Sequence, residues 1–103
     1  MQKYYFITVM EKLEENPYYY VDTGCTRCWG FYTSKSTALT ALHENWTDMW
    51  ETIYTYAVLE EYYEGIGGST MHRQFFKYDK DEDGYFEIDE PECVKHTYDF
   101  ALG

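Results

Sequence analysis

The chain has 103 residues, 19 acidic against 8 basic, for a formal net charge of −11. That length fits a single domain, 1–103, with one modest core and little room for a deep catalytic cleft. The charge argues against binding nucleic acid by neutralising phosphates, and against an anionic membrane surface. The natural partners of such a surface are cations, either metal ions or a basic groove on another protein. Aromatics make up 21% of the chain, with thirteen tyrosines among them, which is incompatible with a disordered polar chain. No signal peptide is recognised after Met1 and no apolar run approaches the roughly 20 residues of a membrane span. Three cysteines, an odd number, do not make a disulfide framework, so a reducing cytosol is the expected compartment.

In chain order, Lys3 to Met10 is expected as a central strand, because both of its alternating faces are apolar. Asn16-Pro17 marks a turn, and Tyr18 to Val21 is expected as a second strand. Arg27 to Tyr32 follows as a third. Thr33-Ser34 offers an N-cap for a helix over Lys35 to Glu44, with Ala38, Ala41 and Leu42 on its buried face and Asn45 as its stop. Thr47 to Glu51 carries a capping signal for a short helical turn, with Trp46, Met49 and Trp50 tucked against the sheet. Ile53 to Tyr63 is the longest strand candidate, with Tyr54, Tyr56, Val58 and Tyr62 on one face and Ala57, Leu59 and Tyr63 on the other. His72 to Tyr78 and Tyr85 to Asp89 complete the strands, and Val94, Phe100, Ala101 and Leu102 suggest a docking tail. The expected fold is α+β: an antiparallel sheet of about five strands, with one main helix and a short helical turn packed on it.

Phe75 to Glu90 carries the strongest local signal, and it has two readings. As a loop, 79–90 matches the twelve-residue EF-hand pattern, with Asp79, Asp81 and Asp83 as the first ligands, Gly84 at the bend and Glu90 as the bidentate ligand. As a hairpin, two aromatic strands flank an acidic tip ending in Asp83-Gly84. The flanks favour the hairpin. Phe75-Phe76-Lys77-Tyr78 is strand-like, Pro91 stands where an exiting helix must continue, and no second loop is present. A second metal reading places zinc at Cys25, Cys28, Cys93 and His96, although Cys28 lies in a strand-like run. No catalytic motif accompanies His43 or His72, and a Cys–His pair such as Cys93 with His96 or His43 is left open because such pairs form in space rather than in sequence. No cofactor, resident metal or catalytic residue is expected. A small enzyme or nucleotide-binding protein stays as an alternative, with His43, His72 or His96 in a concave pocket. The preferred binding surface is acidic and tyrosine-bearing: Asp79, Asp81, Glu82, Asp83 and Glu87 supply charge, and Tyr78 and Tyr85 are anchors. Glu60, Glu61 and Glu64 suggest a second negative face.

Several segments resemble an uncharacterised family of small acidic proteins from bacterial mobile elements and prophages. They are Arg27-Cys28-Trp29-Gly30-Phe31-Tyr32-Thr33, Asp48-Met49-Trp50-Glu51, Tyr56-Ala57-Val58-Leu59-Glu60-Glu61, Phe75-Phe76-Lys77-Tyr78, Asp83-Gly84-Tyr85, Glu87-Ile88, Pro91-Glu92 and Phe100-Ala101-Leu102-Gly103. The resemblance implies a phage or mobile-element origin. By size and charge it suggests an anti-defence inhibitor of the anti-CRISPR kind, monomeric or homodimeric. Such a protein would occupy the basic nucleic-acid-binding surface of a host protein, such as a CRISPR effector nuclease.

Overall fold

The computed structural model describes residues 2–18, 21–48, 53–65, 72–95 and 100–101. Its centre is a five-stranded antiparallel sheet in the order β4-β1-β5-β6-β7. The strands are β1 (Lys3–Met10), β4 (Thr26–Tyr32), β5 (Tyr56–Tyr63), β6 (His72–Asp79) and β7 (Gly84–Ile88). Two short strands, β2 (Glu14–Glu15) and β3 (Val21–Asp22), form a separate ribbon. One helix, α1 (Lys35–His43), and two 3-10 turns, Trp46–Asp48 and Glu92–Val94, complete the described elements. The fold is α+β, as the residue pattern indicates. No helix among the described residues is long and apolar enough to cross a membrane.

Alternation along β1 sets the two faces. Ile7 and Val9 point to one side, Thr8 and Met10 to the other, and all four are buried. On the first face, Ile7, Val9, Ala57, Leu59, Phe76 and Tyr85 pack against α1 through Ala38, Ala41 and Leu42. Ser34 starts that helix by accepting the Thr37 N–H at 3.4 Å. Asn45 ends it with a left-handed φ of 51°. On the second face, Met10, Val58 and Phe75 are covered by Val94, with Leu13, Val21 and Phe100 around them.

Glu60 fastens the second cover. It is fully buried, and its carboxylate accepts the backbone N–H groups of Phe100 and Ala101 at 2.9 and 2.8 Å. Its cross-strand neighbour Arg73 donates to the Val94 carbonyl at 2.7 Å and to Glu90 at 2.9 Å. Glu60 is therefore part of the interior and not of a negative face, because burial is tolerated only where the carboxylate is hydrogen-bonded. Glu61 is likewise committed, paired with Lys3 at 2.9 Å.

Three sequence expectations are corrected. The strand expected over Tyr18 to Val21 shrinks to β3, Val21–Asp22, with Tyr18 exposed; Tyr19 and Tyr20 lie outside the described residues. The strand expected from Ile53 begins at Tyr56, because the Thr55 N–H donates to the Ile53 carbonyl at 3.2 Å and closes a tight turn. That turn breaks the alternation and sends Tyr54 to the helix side, away from Tyr56 and Val58. The short turn after α1 spans Trp46–Asp48, with Thr47 at a left-handed φ of 58°, and Met49 to Glu51 lie outside the described residues.

Lys12 bridges the small ribbon, at 3.2 Å from Glu14 and 2.9 Å from Asp22. Asp22 consequently titrates below the ordinary aspartate range, first through the Lys12 hydrogen bond and then through the Gly24 N–H. A depressed folded-state value means that this stabilisation is present at neutral pH and lost as pH falls through the acid range. Lys12→Met is expected to move the Asp22 titration upward, followed by carboxyl NMR. Glu60→Ala leaves two partly buried N–H groups unanswered, and a urea melt should show a loss of about 3 kcal/mol.

Candidate functional site: the acidic hairpin tip

The β6–β7 hairpin is built from the register upward. Phe75 pairs with Ile88, Lys77 with Phe86, Tyr78 with Tyr85 and Asp79 with Gly84. Lys80 to Asp83 form the connecting turn, so the loop holds three of the acidic residues and one lysine. Asp79 closes the turn from its base, accepting the N–H groups of Asp81 at 2.9 Å and Glu82 at 3.4 Å. Asp83 takes the left-handed conformation at φ 52°, which aspartate tolerates better than most residues. Its carboxylate accepts the Tyr78 hydroxyl at 2.6 Å and the Asn45 amide at 3.4 Å. The helix stop and the hairpin turn are thereby tied together.

Gly84 marks the closest approach of hairpin and helix. A Cβ there would fall on the carbonyl group of His43, far inside van der Waals contact. Gly84 itself is the first residue of β7, and Asp83 supplies the turn's positive φ. The dipeptide is a genuine turn signal, but its glycine serves the packing of α1.

These contacts sort the expected surface residues. Asp79, Asp81, Glu82, Asp83 and Glu87 are all exposed along the tip and β7. Asp79 and Asp83 also hold the turn, while Glu87 accepts the Gln74 amide at 3.0 Å. Asp81 and Glu82 project from the apex. Tyr78 is half-buried, its ring edge-on to Tyr85 at 5.3 Å. The expectation that Tyr85 is a surface anchor is corrected. Tyr85 is 0% exposed, inside the helix-side core, and its hydroxyl donates to the Tyr54 carbonyl at 2.8 Å. Strand alternation across Gly84 turns its ring inward. The exposed ring at this end is Phe86, stacked on His43 at 5.4 Å and 12°. Sequence reasoning missed it, although its position opposite Lys77 in a period-2 strand points outward. An open hollow of about 570 Å³ lies beside the tip, lined by Lys77, Asp79, Lys80, Asp81, Phe86 and Ile88 among others.

The same geometry bears on the metal readings. The stretch 79–90 does not form a loop between helices; Gly84–Ile88 is strand, and Glu90, the would-be bidentate ligand, pairs with Arg73 at 2.9 Å. Cys25 and Cys28 are exposed, Cys93 is partly buried, and His96 lies outside the described residues. Among the described residues no three His, Cys, Asp or Glu side chains converge as a metal site. His43 and His72 are exposed, and neither lines the hollow beside the tip.

No family model, curated protein or solved structure matches the chain.

Gly84→Ala should destabilise the fold by about 2 kcal/mol, since backbone and not a flexible side chain must give way; thermal or urea melts read this directly. Burial pushes the Cys93 thiol up, reinforced by Glu15 and Glu14. Native alkylation followed by mass spectrometry should therefore label Cys25 and Cys28 before Cys93, with the difference erased in denaturant.

Proposed function

We propose that this protein acts by binding, with its acidic hairpin end docking on the basic surface of another protein. The carrying observation is the turn itself. Four carboxylates, Asp79 at its base and Asp81, Glu82 and Asp83 within it, stand against one lysine on a turn whose shape is set by hydrogen bonds that Asp79 and Asp83 accept. A shaped, pre-ordered display of negative charge steers association and fixes register on a complementary basic groove. Phe86 at the same end adds an exposed apolar contact, the role that Tyr85 cannot fill. Grooves of that kind are built for nucleic-acid phosphates, and an acidic protein seated there excludes the nucleic acid.

The partner class that fits the size, charge and resemblance of the chain is a host defence nuclease in the bacterial cytosol, such as a CRISPR effector. On this reading the protein is an inhibitor carried by a phage or mobile element. It performs no covalent chemistry and uses no cofactor.

The test is DNA binding and cleavage by a panel of guide-loaded CRISPR effector nucleases in the presence of the purified protein. At least one should lose DNA binding at stoichiometric protein. Asp81→Lys combined with Glu82→Lys should weaken that inhibition at least about tenfold and flatten its salt dependence, because both side chains sit at the apex. Inhibition unaltered by the double reversal would place the interface elsewhere; inhibition of none of the panel would remove this partner class.

A further inference from the structure

At the end of the sheet away from the acidic tip, the second face carries an aromatic array whose outermost ring, Phe31, is exposed. Phe31 of β4 sits between Tyr4 and Phe6 of β1, with ring centroids at 5.6 and 5.5 Å. Phe6 meets Tyr62 of β5 edge to face, at 5.5 Å and 89°. These rings, with Tyr63 and Glu64, line an open hollow of about 350 Å³. Phe31 is 56% exposed although it is a large apolar side chain. The geometry points to a binding site for a small methylated-ammonium compound in this hollow.

Three features select that ligand chemistry. First, aromatic rings line the hollow, their faces carry the negative side of the aromatic quadrupole, and the Phe31 ring is the one most open to solvent. The chain uses this attraction repeatedly. Lys3 lies 5.7 Å from the Tyr63 ring, Arg27 4.9 Å from Trp29, and Lys77 5.8 Å from Tyr56. Among the described residues no such protein cation is found over Tyr4, Phe6 or Phe31. Second, Glu64 stands exposed at the rim, held by its backbone N–H on the Gln2 carbonyl at 2.9 Å. It supplies a counter-charge within a chain of net charge −11. Third, the lining is mostly aromatic carbon. It cannot replace the hydration shell of a metal ion, but it suits a weakly hydrated methylated ammonium. The volume is at the small end for ligand sites, about 300–1,000 Å³, which fits a compact cation.

The experiment titrates the intact protein with choline and, separately, with its neutral isostere 3,3-dimethylbutan-1-ol, followed by amide NMR and calorimetry. Choline should saturate one site, shifting β1, β4 and β5 amides around Phe31, and should bind at least about fivefold tighter than the isostere. Phe31→Ala, an exposed position whose folding is checked by circular dichroism, should abolish those shifts. Asp81→Asn with Glu82→Gln, at the other end of the sheet, should leave them intact. Equal affinity for the isostere would make the hollow a plain apolar groove and overturn the proposal. Absence of saturable shifts, or shifts abolished by the hairpin variant and not by Phe31→Ala, would overturn it as well.

Discussion

A central strand that is apolar on both faces needs two covers, and the architecture follows from that requirement. Ile7 and Val9 face the helix, while Thr8 and Met10 face the C-terminal segment and the small ribbon. The first cover is conventional, a short helix carrying Ala38, Ala41 and Leu42 into the sheet. The second, which among the described residues includes the 3-10 turn Glu92–Val94 and Phe100, is held by polar contacts as well. Glu60 takes two consecutive backbone N–H groups, and Arg73 reaches the Val94 carbonyl. A buried carboxylate is costly in isolation, but this one replaces the water that the segment's N–H groups would otherwise need. The apolar contacts of Phe75 with Phe100 and the polar contacts of Glu60 therefore depend on each other.

The core was legible wherever local chemistry and tertiary packing agreed. β1 has the bounds its alternation suggests, and α1 starts at Lys35 after a serine cap and buries the three residues its spacing selects. The hairpin was legible for the same reason, since its flanking aromatics have strand periodicity. What could not be read from the chain depended on contacts distant in sequence. Nothing local distinguishes Glu60 from Glu61 or Glu64, yet one is interior because Phe100 and Ala101 return to it across the sheet. Tyr85 resembles every other tyrosine in the sequence; only the register Tyr78–Tyr85 and the nearby helix show that it faces inward. Tyr54 was misplaced because a single tight turn at Thr55 reset the alternation.

The candidate site was half legible. Its acidic composition is plain in the sequence, but the division of labour within it is not. Asp79 and Asp83 shape the turn, and Asp81 and Glu82 are displayed by it. The link from Asp83 through Asn45 to the end of α1 means that the tip is positioned by the helix-side core rather than swinging on two strands. The aromatic array of Tyr4, Phe6, Phe31 and Tyr62 occupies the opposite end, so the sheet separates a charged display from an apolar hollow.

The edge strand β4 has one further consequence. Its pairing with β1 slips between Ile7 and Thr8, leaving Trp29 as an extra residue, and Arg27 lies over the Trp29 ring. A bulge twists a strand and interrupts the even spacing of its outward N–H and C=O groups. A neighbouring chain seeking to extend the sheet would meet a broken ladder and a guanidinium instead of a flat template. On this edge the backbone itself thus disfavours the addition of a further strand.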